Sequence, residues 1–118
     1  MLSLFGGHVL SFLNKTDMKE RLWLSKKAIF DGKTPIRGGI PICWPWFSAH
    51  VSDPCFPSHG FARSQMFTLT SIRETVNNQD IIQTQLTLEP TQLGLYGYDN
   101  LQMKIVIVVS DKLEISIV

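Results

Sequence analysis

The stretch MFTLTSIRETVNNQDIIQTQLTL, residues 66–88, decides the fold class of this chain. β-Branched and apolar residues recur in it with a period near two, in two runs, Met66 to Arg73 and Ile81 to Leu88. This period is typical of strands whose side chains alternate between a buried face and a wetter one. Residues 76–80, VNNQD, lie between the runs and have the composition of a turn. The stretch therefore predicts a β-hairpin.

Two further runs of the same kind follow, Leu101 to Val109 and Leu113 to Val118. Residues 110–112, Ser-Asp-Lys, separate them as a second turn. Strands joined by short turns pair with their neighbours in the chain, so the pattern predicts an antiparallel meander. We expect at least four strands in this half of the chain, and little helix.

Outside the meander the signals are weaker. Val9 to Leu13 and Arg21 to Leu24 are short apolar runs on either side of a polar stretch that begins at Asn14, and we predict two strands joined by a turn. Residues 90–100 contain two glycines among leucines and tyrosines, and we predict an irregular crossing loop there.

The predicted architecture is all-β and forms a single domain over residues 1–118. The last strand reaches Val118 without a turn signal, and an apolar strand of this kind normally pairs with a further neighbour. We therefore expect an incomplete, truncated part of an antiparallel β-sandwich.

Composition excludes several classes of partner. The chain has 11 basic and 10 acidic side chains and a formal charge of +1, which gives no footprint for nucleic acid or for an anionic membrane. The apolar run from Leu101 to Val109 is too short to span a bilayer as a helix. Cys43 and Cys55 are too few to staple a secreted scaffold, so we interpret them as thiols of a cytoplasmic protein. The sequence does not predict an oligomeric state.

Candidate functional residues concentrate in the proline-rich middle, residues 35–63. Loops of this kind on a β scaffold often carry sites. Arg37 precedes two glycines, an arrangement that suits anions, because guanidinium is a planar fork of donors and glycine lets backbone N–H groups come close. Arg63 would add a second fork. The alternative for Arg37, a structural ion pair at a turn, stays open.

Trp44 and Trp46 flank a proline, so that one indole can face a sugar; the alternative is that both belong to the core. His59 has three interpretations: a donor to a substrate hydroxyl, an acid or base near neutral pH, or a loop histidine with a structural role. A zinc site would need Cys43, His50, Cys55 and His59. Their spacing lacks the close pairs that structural zinc ligands show, so we predict no metal.

Two strings in this middle segment, PIRGGIPICWPWF at residues 35–47 and SHGFAR at residues 58–63, resemble the paired signature of the hexose-6-phosphate mutarotases, which belong to the aldose-1-epimerase superfamily. The flanks agree, since GGHVLSF at residues 6–12 and LWLSKKAIFDGK at residues 22–33 are similar to the family's segments before the first string. The similarity runs from near Leu4 to the last residue.

The resemblance implies a galactose-mutarotase-like β-sandwich that interconverts the α and β anomers of a hexose 6-phosphate, as a glucose-6-phosphate 1-epimerase does, without a cofactor. It implies that Arg37 and Arg63 hold the phosphate, that His59 binds substrate, and that Trp44 and Trp46 form the aromatic part of the site. Ser48 stands where family members often have glycine, which affects only the local turn.

The family's catalytic residues, a histidine in an HxYF-like motif and a glutamate nearer the C-terminus, have no counterparts in the chain. We therefore expect the parent protein to be an isomerase and these residues to carry the phosphate- and sugar-binding part of its site, without activity of their own. The alternative is a non-catalytic β module that binds a sugar phosphate. A third possibility is a purely structural fragment that needs another chain to complete its sheets.

Overall fold

The structure is a computed structural model that describes residues 1–92 and 94–118. The strands are β1 (Leu2–Ser3), β2 (His8–Val9), β3 (Leu13–Asn14), β4 (Lys19–Glu20), β5 (Phe67–Asn77), β6 (Asp80–Pro90), β7 (Ile105–Val109) and β8 (Leu113–Ile117). Within the described residues the only helix is one 3₁₀ turn, Ala62–Ser64. No described helix has the length and apolar character that crossing a bilayer requires. The all-β prediction is confirmed.

The four C-terminal strands form the predicted antiparallel meander, in the order β5-β6-β7-β8. Asn77 pairs with Asp80, so the β5–β6 turn consists of Asn78 and Gln79, with φ of 49° and 73°. Two positive φ angles are typical of the type I′ turn, whose twist matches that of the flanking strands. The predicted crossing loop at residues 90–100 has no strand or helix in its described part beyond Pro90; Leu93 lies outside the described residues.

The predicted bounds of the N-terminal strands are wrong. The run Val9 to Leu13 divides between β2, which pairs with β1, and β3, which pairs with β4; Arg21 to Leu24 forms a single bridge, from Leu24 to Gly38, instead of a strand. The reason is Glu20. Its carboxylate accepts hydrogen bonds from the Ser11 hydroxyl and from the N–H groups of Phe12 and Leu22. The Arg21 N–H still donates to the Phe12 carbonyl oxygen, but the Phe12 N–H is taken by Glu20, so regular pairing ends there.

The same hydrogen bonds hold the Glu20 carboxylate in its charged form. The Ser11 hydroxyl contributes most, and together with the backbone donors it lowers the pKa of Glu20 to about 2. The end of the ribbon is therefore set by a side chain, a signal that apolar periodicity does not carry.

The core lies on one face of the meander, where the N-terminal and middle segments pack. Phe67, Leu88, Ile105 and Ile107 are at most 2% exposed, and Val9, Ile42, Ala62 and Met103 complete the cluster. The outer half of the β5–β6 hairpin extends beyond the N-terminal and middle segments that pack on the sheet. Ile72, Val76 and Ile81 are each more than half exposed there. The molecule is correspondingly elongated, with extents of 53 × 33 × 23 Å.

Candidate functional site

The two strings that the sequence singled out are hydrogen-bonded to each other. We call residues 35–47 the first signature segment and residues 58–63 the second. The carbonyl oxygen of Trp44 accepts hydrogen bonds from the N–H groups of Phe61, at 3.0 Å, and Ala62, at 3.2 Å. Gly60 forms a parallel bridge with Trp44, and a Cβ at Gly60 would overlap that same carbonyl oxygen. The segments therefore form one unit that requires glycine at its closest point.

His59 is fixed by a reciprocal pair of hydrogen bonds. Its N–H donates to the carbonyl oxygen of Ser48 at 2.7 Å, and the Ser48 N–H donates to its Nδ1 at 3.0 Å. Because Nδ1 accepts, the neutral ring carries its proton on Nε2. In the part of the chain that the structure describes, Nε2 has no hydrogen-bond partner, so it is free to donate to a ligand. Ser48 adopts φ of 67°, the turn conformation that favours glycine.

A short N-terminal stretch connects both signature segments to the sheet. We call residues 5–9 the anchor segment. On one side of it, the Ile40 N–H donates to the carbonyl oxygen of Val9 at 2.8 Å. On the other, the Gly6 N–H donates to the carbonyl oxygen of Gln65, two residues after Arg63, at 2.7 Å. The loop that carries Arg37 and the turn that carries Arg63 therefore lie on opposite sides of the anchor segment.

The two arginines differ in their surroundings. Arg37 is exposed, and its backbone carbonyl accepts a hydrogen bond from the Ser25 N–H at 3.1 Å. Its guanidinium makes no ion pair with any described residue, so the ion pair considered from sequence is not formed there. Arg63 is partly exposed and donates from Nη2 to the carbonyl oxygen of Ser58 at 2.8 Å. That bond occupies one of its five N–H groups and leaves a fork for an anion.

Both tryptophans of the first signature segment are packed and half-buried. Trp46 donates its indole N–H to the carbonyl oxygen of Pro57 at 3.0 Å and stacks on Phe56, with ring centroids 5.9 Å apart. Trp44 lies against the core and meets Phe61 edge-on at 5.7 Å. Trp44 therefore packs against the core, whereas Trp46 packs among aromatic rings of the loops and can offer a ligand only its ring.

Phe47 is an aromatic candidate that the sequence reasoning missed. Its side chain is 74% exposed, and its ring centroid lies 4.7 Å from that of His59 in an edge-on arrangement. An exposed ring beside a free imidazole N–H is an arrangement suited to a sugar, which presents both apolar C–H faces and hydroxyl groups. Sequence alone carries no signal that separates this ring from its buried neighbours.

The residues considered for zinc serve other purposes. His50 Nε2 is 2.9 Å from the Tyr98 hydroxyl, and His50 Nδ1 accepts a hydrogen bond from the Asp53 N–H at 3.1 Å. Cys43 and Cys55 are free thiols. Across residues 1–92 and 94–118 no three potential ligands are grouped closely enough to hold a metal ion.

His8, in the anchor segment, is a second residue that the sequence reasoning missed. It is 1% exposed, and its Nε2 is 2.7 Å from the carbonyl oxygen of Gly38, to which it donates. Burial lowers the pKa of His8 from its ordinary value of 6.5, and the Gly38 hydrogen bond opposes that shift. His8 is therefore a neutral donor beneath the loop that carries Arg37.

The sequence profile of the aldose 1-epimerase family matches residues 1–118. The chain belongs to this family. A protein of Escherichia coli (strain K12) named "Putative glucose-6-phosphate 1-epimerase" is 40% identical over 90 residues, which are 76% of this chain and 28% of that protein. A protein of the same name from Cenchrus ciliaris is 46% identical over 66 residues, 56% of this chain and 19% of that protein.

The aldose 1-epimerase family also accounts for the fold. The crystal structure of "a putative mutarotase (YeaD) from Salmonella typhimurium" is similar with a TM-score of 0.77 and 32% identity, over 98% of this chain and 38% of that one. The mutarotase-like fold predicted from the signature is confirmed, and the chain corresponds to part of it. It spans less than a third of the length of the curated relatives that it matches.

Replacement of Gly60 by alanine tests how closely the two signature segments must approach. Gly32→Ala is a matched control, because Gly60 and Gly32 have similar φ, 71° and 68°, but Gly32 has open space around it. We expect both variants to lose about 1–2 kcal/mol of unfolding free energy from the left-handed backbone. Gly60→Ala should lose a further ~1–3 kcal/mol from overlap with Trp44. Urea unfolding measures both, and equal losses would contradict the tight contact.

The pH dependence of stability tests the neutral state of His8. Its pKa is lower in the folded chain than in the unfolded one, so the unfolded chain binds more protons and stability rises with pH between the two values. We expect stability to fall as the pH drops below about 6.5 and to level off below the folded pKa. Urea unfolding across this range should show a shallower decline in His8→Gln. Parallel curves for the two proteins would contradict a buried neutral His8.

Proposed function

We propose that the protein containing these residues is an isomerase that interconverts the α and β anomers of a hexose 6-phosphate, and that residues 1–118 carry the phosphate- and sugar-binding part of its site. One observation carries the proposal. The two signature segments are joined through Trp44 and Gly60 into one unit that leaves an unpaired guanidinium and a free imidazole N–H. The relatives named as glucose-6-phosphate 1-epimerases support this substrate class.

Phosphate recognition is assigned to Arg37 and Arg63. Each guanidinium can form bidentate, charge-assisted hydrogen bonds, which are stronger than those between neutral groups. Arg37 is exposed at the start of a glycine pair that packs closely on residues 23–25 and on Val9, and the Ser58 carbonyl oxygen orients Arg63 by accepting a hydrogen bond from its Nη2. A net charge of +1 attracts no anion at long range, so recognition must come from these local forks.

Sugar recognition is assigned to His59 and the aromatic rings around it. The Nε2–H of His59 would donate to a ring hydroxyl, and the exposed Phe47 ring would pack against the C–H face of the sugar. Trp44 and Trp46 remain part of the proposed site as the packed support of these groups, and Trp46 has only ring surface to offer, because its indole N–H is bonded to Pro57.

Anomer exchange needs one group to take the proton of the anomeric hydroxyl and another to protonate the ring oxygen, after which the ring opens, rotates and closes. His59 is the one imidazole in the two signature segments. The HxYF-like histidine and the glutamate nearer the C-terminus that the resemblance implies have no counterparts in residues 1–118. Residues 1–118 are therefore assigned to binding and orienting the substrate.

The free thiols Cys43 and Cys55 suit a protein of the cytoplasm, where thiols stay reduced.

The roles of the arginines are tested by Arg37→Ala and Arg63→Ala, with Arg73→Ala on the exposed hairpin as the matched control. We expect each of the first two to weaken glucose 6-phosphate binding by about 1.5–3 kcal/mol, the usual contribution of hydrogen bonds to a charged group. Glucose binding should change much less. Calorimetry with both ligands decides, since equal losses for glucose and glucose 6-phosphate would show that the arginines support the fold or the sugar ring.

The division between binding and catalysis is tested on the 118-residue chain itself. We expect no acceleration of anomer exchange in glucose 6-phosphate above the spontaneous rate. Positioned acid and base groups typically accelerate such a reaction ~10²–10⁴-fold, and these residues lack the pair. Binding substrate and transition state equally well leaves the barrier between them unchanged. NMR exchange spectroscopy on the two anomers measures the rate. Acceleration that His59→Ala abolishes would contradict the assignment and make His59 catalytic.

A further inference from the structure

The peptide unit between Gly38 and Gly39 is held at both of its polar ends. Its carbonyl oxygen, on Gly38, accepts a hydrogen bond from Nε2 of His8 at 2.7 Å. Its N–H, on Gly39, donates to the carbonyl oxygen of Trp23 at 2.7 Å. The two partners come from different parts of the chain, so this single peptide plane is clamped between the anchor segment and residues 23–25.

Such a clamp is needed here because two consecutive glycines are the least restrained pair of residues. Gly38 and Gly39 have φ of +99° and +62°, and without Cβ atoms the peptide between them can rotate at little steric cost. Rotation would break both hydrogen bonds and change the direction of the chain at the residue after Arg37. The position of Arg37 thus depends on the 38–39 peptide as well as on the Ser25 N–H that donates to its own carbonyl oxygen.

The packing around Gly39 shows that the His8 contact is close. A Cβ at Gly39 would overlap the carbonyl oxygen of Val9 and lie 3.1 Å from His8 Nε2. His8 itself is 1% exposed, so it has left water to make this bond. An apolar side chain in its place would leave the partly buried Gly38 carbonyl facing apolar groups without its donor, which costs free energy.

We infer that His8 is a positioning residue of the anion-binding loop: its Nε2–H bond to the Gly38 carbonyl locks the 38–39 peptide and thereby fixes the direction in which Arg37 leaves the loop. The inference rests on the proposed function for the phosphate role of Arg37. The lock on the peptide is a property of the fold and can be measured without a ligand.

The experiment compares four forms of the 118-residue chain: the natural sequence, His8→Leu, His8→Gln and Leu10→Val. Leucine removes the donor, and glutamine restores a side-chain N–H of similar reach. Leu10→Val loosens the packing of a buried residue beside Gly39 but keeps both hydrogen bonds of the clamp. Two quantities are measured: the hydrogen exchange of the Gly39 amide by NMR, and the affinities for glucose 6-phosphate and for glucose by calorimetry. Urea unfolding gives the global stability of each form.

In His8→Leu we expect faster exchange at Gly39 than global stability explains, and about tenfold weaker binding of glucose 6-phosphate, the equivalent of one hydrogen bond. Glucose affinity should be nearly unchanged. His8→Gln should recover both quantities, and Leu10→Val should lower stability without the selective loss. Unchanged Gly39 exchange, equal losses for both ligands or no recovery with glutamine would overturn the inference. If the natural sequence binds no glucose 6-phosphate, the proposed function fails for this chain, and Gly39 exchange still decides on the lock.

Discussion

Gly6 and Gly7, which have no side chains, let the anchor segment approach its neighbours more closely than other residues could. A Cβ at Gly7 would overlap the Cδ1 methyl group of Ile105, and one at Gly6 would lie 2.9 Å from the backbone oxygen of Arg63. The anchor segment can therefore lie directly on the core of the meander at Gly7 and on the second signature segment at Gly6. This double approach connects the sheet, the anchor segment and the second signature segment.

From that contact outward the site is built mainly by the backbone. The carbonyl oxygens of Val9 and Trp44 and the Gly38–Gly39 peptide all find partners on neighbouring segments, so irregular loops become rigid without regular secondary structure. Few side chains are used in this frame. Among the described residues, the guanidinium of Arg37 and the Nε2–H of His59 take no part in this frame, and they lie on loops of the kind that often carry sites on a β scaffold.

Sequence predicted the meander well because its signals are local: alternation within each strand and turn residues such as Asn78 between them. It failed at the N-terminal ribbon, where the Glu20 carboxylate, not apolar periodicity, sets the end of pairing. The signature segments were found by composition and resemblance. His8 and Phe47 were missed, since burial of one and exposure of the other depend on contacts between residues far apart in sequence.

The long sequence separation of these contacts has a consequence for the order of folding. The β5–β6 hairpin closes through the two-residue turn at Asn78, whereas His8 and Gly38 are 30 positions apart and the Phe5–Met66 bridge encloses more than half of the chain. Closing a long loop costs entropy before any contact rewards it, and non-local contacts slow folding. The sheet should thus form first during refolding, and the contacts of the anchor segment with the two signature segments should form later.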